Sequence, residues 1–442
     1  MKKMLALGLA LVLVISLLPG CNRNVLTIKD GQGKVILRVQ DENALYADAR
    51  VAYWDMVLLE AVQILTQETG CSEEEAKAKL FAGGTIETYF DEQAFQALRS
   101  AAATCTAGMV GCAVTDLQGN LVAVYSAGST GNLATALNAP CSAFKPLSVY
   151  APALEAGVIQ WTTKTEDSPY KQLTDSNGNT SDWPANATGS YSYQQVDLYR
   201  AVQQSLNTVA VKCLDQLGVE ESVKFLQEQL GIPLVSETQR MEAADGQEII
   251  GNIALGYLAE GVSTVDMAGW YQMFANGGSY IQPKTIEKIS CDGIDYQRQR
   301  ESRQIISTAT AERMNMLLQG VVEKEGTGYR ADCGDIQVAG KTGTNDDNTG
   351  NWFVGVTPSY SCAIWHGKSD SNQAAGVFST AIESIYLQKQ GLPKSFPEPT
   401  AVKMIICCSE SGLEAGSGCG LIERSYIPAN ETVKKCDQHF NN

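Results

Sequence analysis

The chain of 442 residues is long enough for one large domain with a smaller one beside it, and its 44% hydrophobic content is that of an ordinary globular protein. Asp and Glu outnumber Lys and Arg by 49 to 33, a formal charge of −16, so a polyanion would be repelled over most of the surface and no nucleic-acid partner is expected. Only two histidines occur, His366 and His439, which argues against Ser-His-Asp catalysis and multi-histidine zinc chemistry and leaves any nucleophile in need of another base.

Lys2 and Lys3 precede an apolar run from Met4 to Leu18, too short to span a bilayer comfortably, which is the pattern of an export signal. The run ends in Leu18-Pro19-Gly20-Cys21, which resembles the lipobox of bacterial lipoproteins. The expectation is a signal peptide over 1–21, lipidation at Cys21 and a chain held at the extracytoplasmic face of the cell membrane, with an uncleaved anchor or plain secretion as alternatives. Residues 22–104 read as an N-terminal linker or pedestal. Within them Val35 to Val39 has a strand pattern and Tyr53 to Thr69 has helical apolar spacing. A second helix starts at Ser72, whose hydroxyl followed by Glu73-Glu74-Glu75 fits a capping box, and Gly83-Gly84 stops it.

From Val110 to Thr115 and from Leu121 to Tyr125 the chain reads as a hairpin around Asp116-Leu117-Gln118-Gly119. Helical periodicity follows over 143–157 and 196–217, separated by a polar stretch from Lys164 to Tyr193 that reads as a long loop. Strands return at 336–344, and 352–356 with 360–365 forms a second hairpin around Thr357-Pro358-Ser359. Strands at both ends with helices between predict a mixed α/β chain of the α+β kind, its antiparallel sheet completed by both ends of the domain. Most of the 13 cysteines, such as Cys112, Cys213 and Cys362, sit singly in apolar segments as small core residues. Only the tail clusters them: Cys407, Cys408, Cys419 and Cys436, followed by His439, read as one disulfide holding a short tail, with a zinc site as the alternative.

The chemistry-bearing pattern begins at Ser142, with Lys145 one helical turn on at the entrance of an apolar helix. A serine hydroxyl needs a base, and a lysine serves only if burial or a neighbouring cation lowers its pKa. The Ser142 amide, near a helix start, points a donor at developing negative charge. Alone, Ser-x-x-Lys is a common surface pattern, an N-capping serine with a solvated lysine. Ser205-Leu206-Asn207 and Lys341-Thr342-Gly343-Thr344, following in that order, make it specific. Ser205 offers a hydroxyl for proton relay and Asn207 an amide for a substrate peptide group. Lys341 adds a cation that depresses Lys145 and attracts a carboxylate, Gly343 leaves room for a peptide along the strand edge, and the Thr344 amide completes an oxyanion hole.

These three motifs in this order are those of class A β-lactamases and penicillin-binding proteins. The chain resembles the transpeptidase domain of penicillin-binding proteins of the class A type over roughly residues 45 to 440. The resemblance includes Leu80-Phe81-Ala82-Gly83-Gly84-Thr85-Ile86, Ala151 to Gly157, Asp182-Trp183-Pro184-Ala185-Asn186 and Trp352-Phe353-Val354-Gly355. It implies a β-lactamase/transpeptidase-like antiparallel sheet flanked by helices, with an all-helical subdomain, a transpeptidase domain over 105–395 and a cysteine-containing tail over 396–442. It also implies a serine D,D-transpeptidase that acts on D-Ala-D-Ala peptidoglycan stem peptides through an acyl-enzyme and is inhibited by β-lactams. No metal or other cofactor is needed for that chemistry. The resemblance lacks the glycosyltransferase domain of class A proteins, for which the roughly 80 residues after Cys21 leave no room, so a separate glycosyltransferase is an expected partner. Cys141 stands where the family more often has glycine. The competing readings are a D,D-carboxypeptidase, a β-lactamase, for which Glu155 and Glu166 are the available deacylating carboxylates, and a β-lactam-sensing or noncatalytic wall-binding protein.

Overall fold

A computed structural model describes residues 24–105, 108–174, 177–235, 246–345, 349–367 and 371–439. The apolar run read as an export signal, and Cys21, lie outside the described residues. Among the described residues, no helix is long and apolar enough to cross a membrane.

The central element is a five-stranded antiparallel sheet in the spatial order Ala339–Thr344, Asn351–Val356, Tyr360–His366, Val110–Asp116, Leu121–Ala127. Both hairpins read from the sequence are present, and the chain's late strands join its early ones in one sheet. Two of its strands, Asn351–Val356 and Tyr360–His366, are buried along their whole length, because helices cover both faces. Side chains alternate across a strand. Phe353 accordingly packs on Phe378 of the C-terminal helix Ser371–Gln388, ring centroids 4.8 Å apart, while neighbouring Trp352 points to the other face and its indole N–H donates to Ala139 O at 2.9 Å. The helix Glu92–Ala102 packs beside the C-terminal helix, and Thr264–Tyr271 packs on the sheet strands.

A second five-stranded sheet joins the N-terminal residues to the middle of the chain. Leu26–Lys29 lies between Val35–Val39 and Thr85–Thr88, and Thr85–Thr88 pairs in turn with Ile286–Cys291, itself paired with Ile294–Gln297. The helix Val51–Thr69 ties this block to the central sheet: the Tyr53 hydroxyl donates to Leu121 O at 2.7 Å, and Glu60 accepts from Thr285 N and Oγ1 at 2.8 and 2.7 Å. The capping box at Ser72 forms as read, with Glu75 completing it, and the helix runs over Glu73–Phe81.

Between the sheets' two ends of sequence lies the helical region, including Leu198–Gln203, Asn207–Leu217, Val219–Lys224 and Gly246–Leu255. The stretch read as one helix over 196–217 is two, broken at Ser205. The polar stretch read as a loop contains a small hairpin, Lys171–Thr174 with Thr180–Trp183, whose exposed polar residues carry no alternating apolar signal. In the tail, Val402–Cys408 pairs with Ile422–Pro428. Every cysteine among the described residues is a free thiol, which corrects the disulfide reading of the tail: the sulfurs of Cys408, Cys419 and Cys436 converge on the His439 ring rather than bonding in pairs.

Candidate active site

Ser142 lies in a tight 3-10 turn, Cys141–Phe144, which passes through one wide turn, Pro146–Tyr150, into the short helix Ala151–Glu155. The turn is fixed from three sides. Cys141 N donates to Gly256 O at 3.0 Å, the Tyr271 hydroxyl donates to Ala143 O, and Trp352 holds Ala139. Cys141 itself adopts φ +50°, the left-handed region that favours glycine, and its side chain is buried. The edge strand Ala339–Thr344 closes against the same turn. A Cβ on Gly343 would meet Pro140 O at 2.4 Å and Ala143 N at 3.0 Å, so glycine is required there for the strand to approach the nucleophile turn.

Lys145 is fully buried, and its Nζ donates to Ser205 O at 2.8 Å, Asn207 Oδ1 at 2.6 Å and Ser205 Oγ at 3.4 Å. Lys341, also fully buried, donates to Ser205 Oγ at 2.7 Å and Thr342 O at 3.1 Å. Two lysine amines thus share one hydroxyl. Burial, and then the nearby Lys341 charge, holds Lys145 well below the ordinary lysine range; burial brings Lys341 down to about 7. Among the described residues the half-buried Ser142 hydroxyl has no hydrogen-bond partner, and Lys145 is turned to Ser205 and Asn207 rather than to Ser142. Resting active sites commonly tighten such bonds only when substrate is bound.

The break between the two helices aims Ser205 and Asn207. Leu206 N donates to Ala201 O at 3.0 Å and Ser205 N to Val202 O at 3.2 Å, the paired bonds of a Schellman ending, and Ser205 takes the left-handed position with φ +56°. Its carbonyl and hydroxyl are thereby both presented to Lys145. Asn207 then opens the next helix, and its side chain is clamped, Oδ1 by Lys145 and Nδ2 by Ala185 O at 2.7 Å. One amide proton of Asn207 remains for another acceptor.

Sequence reasoning passed over the residues that support this clamp. Asn186 Oδ1 accepts from Asn207 N at 2.9 Å, while its Nδ2 donates to Asp167 Oδ1 at 2.7 Å. Asp167 also accepts from Thr208 Oγ1 and Ser192 N, at 2.7 and 2.9 Å. Burial pushes the Asp167 carboxyl up, but these bonds outweigh it and hold the pKa below the usual value. Asn186 lies within the family-like Asp182–Asn186 stretch, whereas Asp167, next to Glu166, carries no local sequence signal.

Thr344 ends the edge strand beside the turn, half-buried. The Thr342 hydroxyl is paired with that of Thr327 at 2.8 Å, so this residue offers the groove its backbone. Glu155 accepts from Ser307 N and Oγ at 3.0 and 2.8 Å and so caps the helix Thr308–Val322. Glu166 is exposed, and its carbonyl accepts from Lys212. Neither carboxylate bonds to Ser142 or Lys145.

Among the described residues the edge strand pairs with Asn351–Val356 on one side only, leaving its outer edge, next to Ser142, open to an extended peptide as an added strand. The arrangement therefore provides a serine at a rigid turn, a buried lysine with a depressed pKa, a shared hydroxyl, a second buried lysine and a strand edge, which are the parts needed for acyl transfer at a peptide bond.

The family model of the penicillin binding protein transpeptidase domain matches residues 113–379, well over half of the chain. Penicillin-binding protein 1A of Clostridium botulinum is 30% identical over 248 residues, 55% of this chain and 29% of that protein. Penicillin-binding protein 1A/1B of Bacillus subtilis is 30% identical over 338 residues, 70% of this chain and 34% of that protein. The chain thus spans about a third of the length of the curated relatives it matches. Among solved structures, the D,D-transpeptidase domain of a peptidoglycan glycosyltransferase from Eggerthella lenta superposes with TM-score 0.64 at 22% identity, covering 84% of this chain and all of that one. PonA1 of Mycobacterium tuberculosis in complex with penicillin V gives 0.60 at 21% identity, covering 78% of this chain and 96% of that one. The sheet, the helices on its faces and the match across 113–379 together assign this chain to the penicillin-binding protein transpeptidase family.

Proposed function

We propose that the chain is a serine D,D-transpeptidase of cell-wall synthesis, with Ser142 as nucleophile and Lys145 as its base. The observation that carries this reading is the meeting of two buried lysines, both with depressed pKa, on the hydroxyl of Ser205. A stem peptide ending in D-Ala-D-Ala lies along the edge strand with its terminal carboxylate toward Lys341 and its penultimate carbonyl over Ser142. Neutral Lys145 takes the Ser142 proton as Oγ bonds to the carbonyl carbon, and the amides of Ser142 and Thr344 hold the oxyanion. When the tetrahedral adduct collapses, the C–N bond breaks and Ser205 relays the proton from Lys145 to the departing D-alanine amine. The amine of a second stem peptide then attacks the ester, releasing Ser142 and forming the cross-link. A β-lactam acylates the same serine. Export through residues 1–21, with Cys21 as the lipidated residue, would deliver the enzyme to the outer face of the membrane.

The test is labelling of the purified chain with a fluorescent penicillin. Label that persists for hours on wild type, vanishes in Ser142→Ala and forms roughly 10²–10⁴ times more slowly in Lys145→Ala supports the assignment. Label that forms and is soon shed would make the protein a β-lactamase. Well-folded wild type that takes none would leave it a wall-binding protein without catalysis.

A further inference from the structure

The tail holds a second constellation, unrelated to Ser142. Cys408 ends one strand of the tail hairpin, Cys419 lies in the loop before the other strand, and Cys436 and His439 come from the segment beyond it. Their ligand atoms all lie within 4.8 Å of one another. His439 Nδ1 is 3.5 Å from Cys408 Sγ, 3.8 Å from Cys419 Sγ and 3.4 Å from Cys436 Sγ. Tetrahedral zinc, with sulfur at about 2.3 Å and nitrogen at about 2.0–2.1 Å, separates such ligands by about 3.5 Å. The observed spacings bracket that value. Cys407, the adjacent residue on the same strand, alternates to the other side and takes no part.

The surroundings are those of a built metal site. His439 Nε2 faces Glu410 Oε2 at 3.0 Å, which orients the ring with Nδ1 toward the sulfurs, as carboxylates do behind metal-bound imidazoles. Ser411 Oγ donates to Cys436 Sγ and Gly416 N to Cys419 Sγ, both at 3.3 Å, bonds suited to thiolates. The tail's sheet has two strands; Tyr426 docks it on Trp161, ring centroids 5.1 Å apart, and Glu423 on Lys164 at 2.7 Å, while its residues Met404, Ile406, Leu421 and Ile422 are exposed, so a metal clip would add to a modest apolar anchorage.

We propose that Cys408, Cys419, Cys436 and His439 Nδ1 bind a structural zinc ion in a closed Cys₃His site. All four positions are filled by protein, so the ion holds the tail together and leaves no place for a reacting water.

The test uses the full chain, purified under reducing conditions without chelator. Elemental analysis should find about one zinc per chain. Cys436→Ser and His439→Gln should lose it while still taking fluorescent penicillin at wild-type level, which separates loss of the site from loss of the fold. Glu410→Gln should retain the ligands but weaken zinc binding about 10–100-fold. Exchange of wild type into cobalt(II) should give the intense absorption of a tetrahedral thiolate complex. Wild type with free thiols that takes up neither added zinc nor cobalt would overturn the proposal, as would a disulfide between any two of these cysteines in the protein as purified.

Discussion

Ser205 carries a conformational cost for a chemical reason. Its φ of +56° is a position where a side chain is disfavoured by about 1–2 kcal/mol, and in that position its carbonyl and hydroxyl both reach Lys145. Ser205→Gly and Ser205→Ala both delete the hydroxyl, but only alanine keeps the strain. The glycine variant is therefore expected to be more stable than the alanine one by about 1 kcal/mol in urea titrations, with both slowed in penicillin acylation by a similar factor of roughly 10² or more. The buried lysines set a pH dependence of stability. Lys341 falls from the ordinary 10.5 to about 7 on folding. Between these values the unfolded chain holds a proton that the folded chain has released, so folded stability rises with pH across the window; below about 7 both states are protonated and the burial cost is carried in full. Lys341→Met should accordingly raise the melting temperature, and by more at pH 6 than at pH 9 in scanning calorimetry, while penicillin acylation falls. The three motifs were legible in the sequence because each is local, with Ser142 and Lys145 one turn apart and Lys341 to Thr344 contiguous. Asp167 and Asn186 were not, because what they do for Asn207 exists only once residues some 20 and 40 positions apart have packed.

At the scale of elements, the edge strand and the nucleophile turn act as one piece. Gly343 lies so close to Pro140 and Ala143 that an added methyl meets backbone atoms, which cannot swing aside as a side chain would. Gly343→Ala should cost about 1–3 kcal/mol of stability and lower the rate of penicillin acylation at the same time. Measuring both on one preparation checks the coupling: a variant that loses stability but acylates normally would mean that strand and turn move independently. The strand itself was read three residues too long at its start, since Ile336 pairs only in an isolated bridge with Cys333. The hairpin of residues 171–183 went unread for the opposite reason, being too polar and exposed to show a strand period.

Across the whole molecule, the N-terminal residues are part of one core with the transpeptidase sheet. Local patterns gave one strand and two helices within 22–104 but missed Leu26–Lys29, Thr85–Thr88 and Glu92–Ala102, and they could not reveal partners, because the parallel pairing of Thr27 with Thr85 and the antiparallel pairing of Ile86 with Ile289 join distant segments. Asp91 bridges to Lys389 in the same way, joining residues nearly the length of the domain apart. A chain shortened to 105–395 would expose the Ile286–Cys291 edge and the surface vacated by Tyr53, Trp54 and Phe90. It is expected to be insoluble or to melt well below the full chain, whereas an independently folded N-terminal block would leave the two melting alike.

The single hydroxyl shared by Lys145 and Lys341 has a further consequence for timing. Two ammonium groups so close and so dry favour a pocket that carries one extra proton rather than two. In the proposed reaction the arriving carboxylate would pin that proton on Lys341 just as a carbonyl comes within reach of Ser142, and the charge held there keeps a second proton off Lys145, so the group that receives the substrate also readies the base.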